Sequence, residues 1–349
     1  MDKHYDNLDV LRGINIILVL IGHAISIFLF TEKLNFFNEP ILVALNDVFH
    51  CFRMPLFFII SGLLIDKFIK KSYKKAIKTK VLRLLVPYCI WSFISVIGME
   101  LVSRYTPLKL SLGLTFNDWL NCLFEPFWIY WFLYVLFFFF IGYYIIYKII
   151  PLYAKKIFFI ISLFLQILFN MDKIPDIWIF NTIGTYMLYF SLGTFILEYF
   201  GRFFLQKVSL LKLLCIIILL TVLGAMLMYY KYVLNIMLIT KILDLIITFL
   251  GSYLVFCISQ YIYYNIYFLK VYLKDFGVNS IIVYCIHMYI ITMLIKISIY
   301  IFKVHNMYFL QISIYSMIAI YICYVIFSKW VKPTSKFRIL FGEKPKMKF

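Results

Sequence analysis

The sequence predicts an all-α, polytopic integral membrane protein with about ten transmembrane helices surrounding an intramembrane cavity. Its composition is the first observation: 64% of the 349 residues are hydrophobic and only 14% are charged, whereas soluble domains are nearer half apolar and a quarter charged. The second is that apolar runs of about 20 residues, long enough to cross a bilayer, recur from end to end. These runs do not alternate with polar residues as barrel strands would, so helices are expected.

Ten apolar segments are the predicted helices. The first follows "MDKHYDN", which has as many acidic as basic residues, and no A-x-A cleavage site comes after it, so we expect a retained helix and not a signal peptide. The eighth carries Lys241 and Asp244, whose i, i+3 spacing predicts an ion pair. The segments lie near residues 10–30, 47–66, 82–103, 127–148, 157–171, 181–199, 210–230, 235–259, 278–302 and 309–330.

The basic residues predict an orientation. With the N-terminus in the cytoplasm, the cytoplasmic segments hold most of the 34 lysines and arginines. By the positive-inside rule both termini are then cytoplasmic, and we expect a multi-pass protein of the cell (inner or plasma) membrane. Basic loops beside anionic headgroups explain the net charge of +18, and no nucleic-acid motif is present. We expect a single membrane domain over 1–349, with a basic cytoplasmic tail at about 331–349.

Two ionisable residues stand in the first segment, "LDVLRGINIILVLIGHAISIFLF". Arg12 and His23 are eleven residues apart, so they share a helix face and lie about 16 Å apart along the axis. Asp9 is placed to pair with Arg12, and Ser26 lies one turn beyond His23. Such residues are costly in a membrane, so the stripe indicates the wall of a cavity. A satisfied core histidine and an interfacial, snorkelling arginine are the alternatives.

Later segments carry further polar residues. The second reads "FHCFRMPLFFIISGLLI", in which Pro55 should bend the helix or sit in its first turn, while Ser61 and Gly62 supply a hydroxyl and a point of close backbone approach. The ninth, "FGVNSIIVYCIHMYI", places His287 inside a span, seven residues after Ser280. The seven cysteines are scattered without metal-ligand spacing, so no metal site is predicted.

Together these segments resemble the acyltransferase 3 family of integral membrane O-acyltransferases. That family has an arginine, ten intervening residues and a histidine on its first helix, matched here by Arg12 and His23. Four more of its motifs follow in the expected order: "MPLFFxxSGxL" at Met54–Leu64, "RLLxPY" at Arg83–Tyr88, "WFLY" at Trp131–Tyr134 and "GxxSxxxYxxH" at Gly277–His287. The resemblance covers nearly the whole chain.

One position departs from the family pattern. The family often has histidine directly before "MPLFF", where this chain has Arg53, with His50 three residues earlier. The role of that histidine is therefore moved or replaced here.

The resemblance implies transfer of an acyl group, usually acetyl from acetyl-CoA, onto a hydroxyl of a cell-surface or lipid-linked glycan. The expected partners are acyl-CoA, that glycan or lipid-linked oligosaccharide, and the lipid bilayer. Acetyl-CoA is expected as donor substrate, with no tightly bound cofactor. A secondary transporter or flippase of a polysaccharide precursor is the alternative, with Arg12, His23 and the Lys241–Asp244 pair forming its path. A scaffold without chemistry of its own is a third.

The candidate site residues follow from the matched motifs. His23 is the expected general base, or else it accepts the acyl group itself. Arg12 at the cytoplasmic mouth would hold a phosphate of coenzyme A, with Asp9 fixing it. Further catalytic candidates, for lining the site or stabilising an oxyanion, are Ser61 and His287. Further substrate-binding candidates are Ser26, Arg53 and Trp131.

Overall fold

The computed structural model describes residues 2–35, 37–105, 126, 128–170, 178–200, 207–298, 308–331 and 336–343. Every regular element in these ranges is helical, and none is a strand. The helices are α1 (Asp2–Thr31), α2 (Pro40–Leu63), α3 (Ile65–Ile69), α4 (Tyr73–Lys80), α5 (Val86–Tyr105), α6 (Trp131–Ile149), α7 (Ala154–Asn170), α8 (Trp178–Phe200), α9 (Leu210–Met228), α10 (Met237–Asn265), α11 (Tyr267–Val278), α12 (Ser280–Ile297) and α13 (Tyr308–Val325).

Short irregular turns extend several of these helices. A π-type turn at Val81–Leu85 joins α4 to α5, and similar turns follow α9 at Tyr229–Val233 and α13 at Ile326–Trp330. Two 3-10 turns lie at Trp128–Tyr130 and Lys336–Phe341.

Among the described residues, eight helical segments are long and apolar enough to cross a bilayer. They are Asp6–Thr31, Pro40–Leu63, Tyr73–Gly98, Trp131–Ile149, Leu210–Val233, Met237–Asn265, Ser280–Ile297 and Tyr308–Trp330. The remaining two predicted spans coincide with α7 and α8, which are helical as well. The prediction of an all-α polytopic membrane protein is confirmed, and the intramembrane cavity stays a prediction.

Two stretches that hydropathy assigned to loops are also helical. The basic stretch "YKKAIKTK" forms α4 and runs through the π-type turn into α5. Tyr267–Val278 forms α11, whose Phe276 and Gly277 are buried while Asp275 is exposed. Both helices have an apolar side and carry lysines elsewhere on their surface. The lysines lower the mean hydropathy of the segment, but lysine is a good helix former, so the helix remains.

The chain forms two compact units: Met1–Ile60 with Tyr199–Trp330, and Ser61–Glu198 with Val331–Phe349. In the first unit, α1 packs against α10, α11, α12 and α13. The first predicted span is therefore enclosed by later helices of its own unit, which suits a helix that carries polar side chains.

Pro55 lies in the interior of α2 and leaves one backbone carbonyl without its usual helical donor. That carbonyl is the one of Cys51, four residues earlier. Thr248 of α10 is 3% exposed, and its hydroxyl lies 2.8 Å from Cys51 O and 2.7 Å from Asp244 O of its own helix, so the two carbonyls share its one hydrogen. One turn further along α10, a Cβ at Gly251 would overlap the ring of Phe52, so the two helices are in close contact there. Thr248 thus compensates for the proline within the "MPLFF" segment.

In the second unit, part of the predicted tail is packed against the helices. Glu343 Oε1 accepts from Arg83 Nη2 at 3.2 Å, and its Oε2 accepts from Arg338 Nε at 2.7 Å. Trp91 of α5 donates its indole N–H to Leu340 O at 3.1 Å. Residues 336–343 are therefore bound to the start of α5 and to the turn before it.

We expect Thr248→Val to cost about 1–3 kcal/mol of stability, because it keeps the side-chain shape but leaves the Cys51 carbonyl without its donor. The measurement is the Tm of the purified protein in detergent. Pro55→Ala restores a backbone N–H for the same carbonyl, so Thr248→Val should cost much less in that background. Equal losses in both backgrounds would contradict the pairing of Thr248 with the proline.

Candidate active site

Two histidines from helices far apart in sequence meet in the first unit. The ring of His23 on α1 lies 5.3 Å from the ring of His287 on α12, centroid to centroid, at an interplanar angle of 37°. His287 is fully buried, and His23 is partly exposed. The structure thus brings together the imidazoles of the first and last matched motifs.

The hydrogen bonds of His287 define which of its nitrogens carries the proton. Its Nδ1 lies 2.8 Å from Tyr284 O and 3.1 Å from Val283 O. Carbonyls only accept hydrogen bonds, so Nδ1 carries the hydrogen and Nε2 carries the lone pair. Within the described residues, Nε2 is buried and has no hydrogen-bond partner. An acceptor in this state costs free energy unless a ligand or water satisfies it, which marks this nitrogen as a site candidate.

Arg53 of α2 lies beside His23. It is 4% exposed, and its guanidinium packs against Gly22, where a Cβ would overlap Nη1. Its Nη2 lies 3.4 Å from His50 Nδ1. Asn15 of α1 donates its Nδ2 hydrogen to Arg53 O at 2.9 Å, which ties the two helices together. The glycine before His23 therefore makes room for the cation on α2.

Arg12 forms the ion pair that its spacing predicts, with Arg12 Nη1 3.1 Å from Asp9 Oδ1. Both side chains remain about one quarter or less exposed. At this end of α1, Lys274 Nζ of α11 also lies 2.8 Å from Asp6 Oδ1. That hydrogen bond raises the pKa of the Lys274 ammonium.

Ser26 joins α1 to α2. Its hydroxyl lies 2.8 Å from Asn46 Oδ1 and 2.8 Å from Gly22 O. The sequence did not point to Asn46, since a partner on another helix leaves no local spacing signal. The role of Ser26 in substrate binding stays a prediction.

The two remaining candidates lie in the second unit. Ser61 precedes Gly62 in α2, where a Cβ on the glycine would overlap Phe190 O. This agrees with the close backbone approach expected of that pair. The ring of Trp131 at the start of α6 lies 5.0 Å from the ring of Tyr186, at 35°. The roles of Ser61 in catalysis and of Trp131 in substrate binding stay predictions.

A family model described as an acyltransferase domain, that of the acyltransferase 3 family, matches residues 5–328. The chain belongs to the acyltransferase 3 family. Its eight candidate spans among the described residues make it a multi-pass membrane protein. The matched range includes Arg12, His23, His50, Arg53 and His287.

A curated relative covers a shorter stretch. Nodulation protein NolL of Sinorhizobium fredii (strain NBRC 101917 / NGR234) is 33% identical over 84 residues. These are 24% of this chain and 22% of NolL, so the matched region is about a fifth of the relative's length. No solved structure matches this chain.

Two glycines at the contact of α1 with α11 place Asp9 and Arg12. A Cβ at Gly13 of α1 would overlap Leu273 O of α11, and a Cβ at Gly277 of α11 would overlap Asp9 O of α1. The backbones of α1 and α11 therefore touch directly on both sides of Arg12. Gly277 was matched to the family by its motif, and its contact with the Asp9 backbone gives the physical reason.

The predicted ion pair between Lys241 and Asp244 is wrong. In the described part of α10 Lys241 is exposed, and Asp244 Oδ1 instead accepts from Cys51 Sγ at 3.3 Å. A different lysine, Lys231, pairs with a carboxylate of α2, with Lys231 Nζ 2.8 Å from Asp47 Oδ2. The spacing made Lys241 and Asp244 neighbours on the helix surface, but the Asp244 side chain turns to α2. The transporter alternative thereby loses one element of its proposed path.

We expect Gly277→Ala to displace α11 from α1 at Asp9, because the added methyl has no room. Overpacking of this kind typically costs about 1–3 kcal/mol. The measurement is the Tm in detergent, with Gly142→Ala as the matched control, since its Cβ would meet only Phe158 at 3.9 Å. An unchanged Tm for Gly277→Ala would show that this contact is not tight.

Proposed function

We propose that this acyltransferase moves an acyl group, acetyl by preference, from acetyl-CoA to a hydroxyl of a cell-surface or lipid-linked glycan. The observation that carries the proposal is the pair of imidazoles of His23 and His287, 5.3 Å apart between centroids. Transfer from a thioester to an alcohol needs a group that removes the hydroxyl proton, and imidazole is suited to this near neutral pH.

His23 is the general base in this proposal. It takes the proton of the acceptor hydroxyl as the hydroxyl oxygen attacks the thioester carbonyl carbon. The carbon–sulfur bond then breaks, and the His23 imidazolium returns the proton to the coenzyme A thiolate. The products are the glycan ester and coenzyme A, so atoms and charge balance without any further reactant.

His287 orients the reacting groups. Because its Nδ1–H is held by two backbone carbonyls, only Nε2 can accept a hydrogen bond from an incoming group. The acceptor hydroxyl or the N–H of His23 is the natural donor to it. A fixed tautomer on one ring leaves the other ring to change protonation during the reaction.

Arg12 binds the donor. A guanidinium near the start of α1 suits a phosphate of coenzyme A, and the Asp9 carboxylate 3.1 Å away fixes its orientation. The basic segments on the same side of the predicted topology support a cytoplasmic donor and cytoplasmic termini, in the cell membrane.

The transfer itself is tested with purified protein, labelled acetyl-CoA and a membrane glycan extract. We expect label in an alkali-labile glycan ester with the wild type and none above background with His23→Ala, because the base is lost. Lys241→Met is the control for a membrane-span variant and should transfer at the wild-type rate. Ester formation by His23→Ala at the wild-type level would refute the assignment of the base. Unacylated glycan crossing proteoliposomes instead would favour a transporter.

Donor binding is tested with Arg12→Gln. Loss of a charge-assisted hydrogen bond of about 1.5–3 kcal/mol corresponds to a KM for acetyl-CoA raised by about 10- to 100-fold, with kcat little changed. Asp9→Asn should raise the same KM by a smaller factor, because Arg12 keeps its charge. A collapse of kcat at unchanged KM would place Arg12 in the chemical step instead.

A further inference from the structure

The geometry points to Arg53 as a catalytic residue that stabilises the oxyanion of the tetrahedral intermediate. This role rests on the acyl transfer proposed above. It adds a hydrogen-bond donor for the oxyanion, which the roles of His23 and His287 do not provide. When the acceptor oxygen attacks the thioester carbon, the carbonyl oxygen becomes an oxyanion. That charge needs hydrogen-bond donors already in place.

Arg53 is held next to His23, the proposed general base. Its Nη1 packs on the backbone of Gly22, the residue directly before His23, with no room for a Cβ between them. A carbonyl within reach of the His23 imidazole is therefore close to the Arg53 guanidinium.

Burial makes this cation effective. Arg53 is 4% exposed inside a helix long and apolar enough to span a bilayer. A charge in such a position is costly to keep, and water screens it little, so it acts strongly on nearby groups. Its position is also fixed: His50 contacts Nη2, and Asn15 holds the backbone carbonyl of Arg53. A preorganised donor of this kind favours the transition state over the ground state.

The step leaves Arg53 unchanged. Its N–H groups donate to the oxyanion while the tetrahedral intermediate exists, and no proton is transferred. When the carbonyl re-forms, the carbon–sulfur bond breaks and the thiolate takes the proton from His23. Arg53 occupies the position directly before "MPLFF" and is a permanent cation there.

The test compares Arg53→Met and Arg53→Lys with the wild type in the labelled acetyl-CoA assay. Removing one oxyanion donor typically lowers kcat by about 10²–10³-fold, so Arg53→Met should fall in this range with KM for acetyl-CoA and for the glycan changed less than about 2-fold. Arg53→Lys keeps a donor and should retain clearly more activity. Monodispersity and Tm confirm that the variants are folded.

Gly22→Ala gives a second test that leaves all charges in the chain. Its methyl would occupy the place of Arg53 Nη1, so kcat should fall although Arg53 and both histidines are present. In the Arg53→Met background the same substitution should cost less than about 2-fold, because its effect is exerted through the guanidinium. Gly142→Ala is the control and should transfer at the wild-type rate.

The outcomes separate the two proposals. Transfer by the wild type, with a large kcat loss in Arg53→Met and non-additive loss with Gly22→Ala, supports the oxyanion role. Transfer by the wild type with Arg53→Met at near wild-type kcat, or with a rise in glycan KM alone, overturns this role and leaves the acyl transfer standing. Absence of any transfer by the wild type overturns the proposed function and this role with it.

Discussion

Direct backbone contact between α1 and its neighbours is the constraint on which the candidate site depends. Gly13 and Gly277 let α1 and α11 touch, and Gly22 lets a side chain of α2 reach the α1 backbone. Polar groups are then held between helices rather than directed to lipid, where their cost would be greatest. At Gly13 and Gly277 an added methyl would meet backbone atoms of the facing helix, whereas at Gly22 it would meet the end of the Arg53 side chain.

The sequence predicts much of the fold because transmembrane helices leave long apolar runs. It also predicts the Asp9–Arg12 pair, since both partners lie on one helix one turn apart. The same rule failed for Lys241 and Asp244, because spacing states which residues are neighbours and not where a side chain turns. The Asp244 carboxylate instead contacts Cys51 on another helix.

Residue spacing along the chain could not predict the contacts between helices that are distant in sequence. The His23–His287 pair, the packing of Arg53 on Gly22 and the Ser26–Asn46 hydrogen bond all join different helices. The motifs brought some of these residues to attention without placing them together. Gly22 carries such a signal, since a small residue directly before a histidine within a span indicates that something approaches the backbone there.

The segment that ends at Glu343 has a consequence for how this protein can be shortened. The family match stops at residue 328, which invites removal of everything beyond it. Yet such a deletion would strip Arg83 of its carboxylate and Trp91 of the carbonyl that its indole reaches. The boundary of sequence similarity is thus not the boundary of the folded body, and trimmed versions for crystallisation should retain the chain through Glu343.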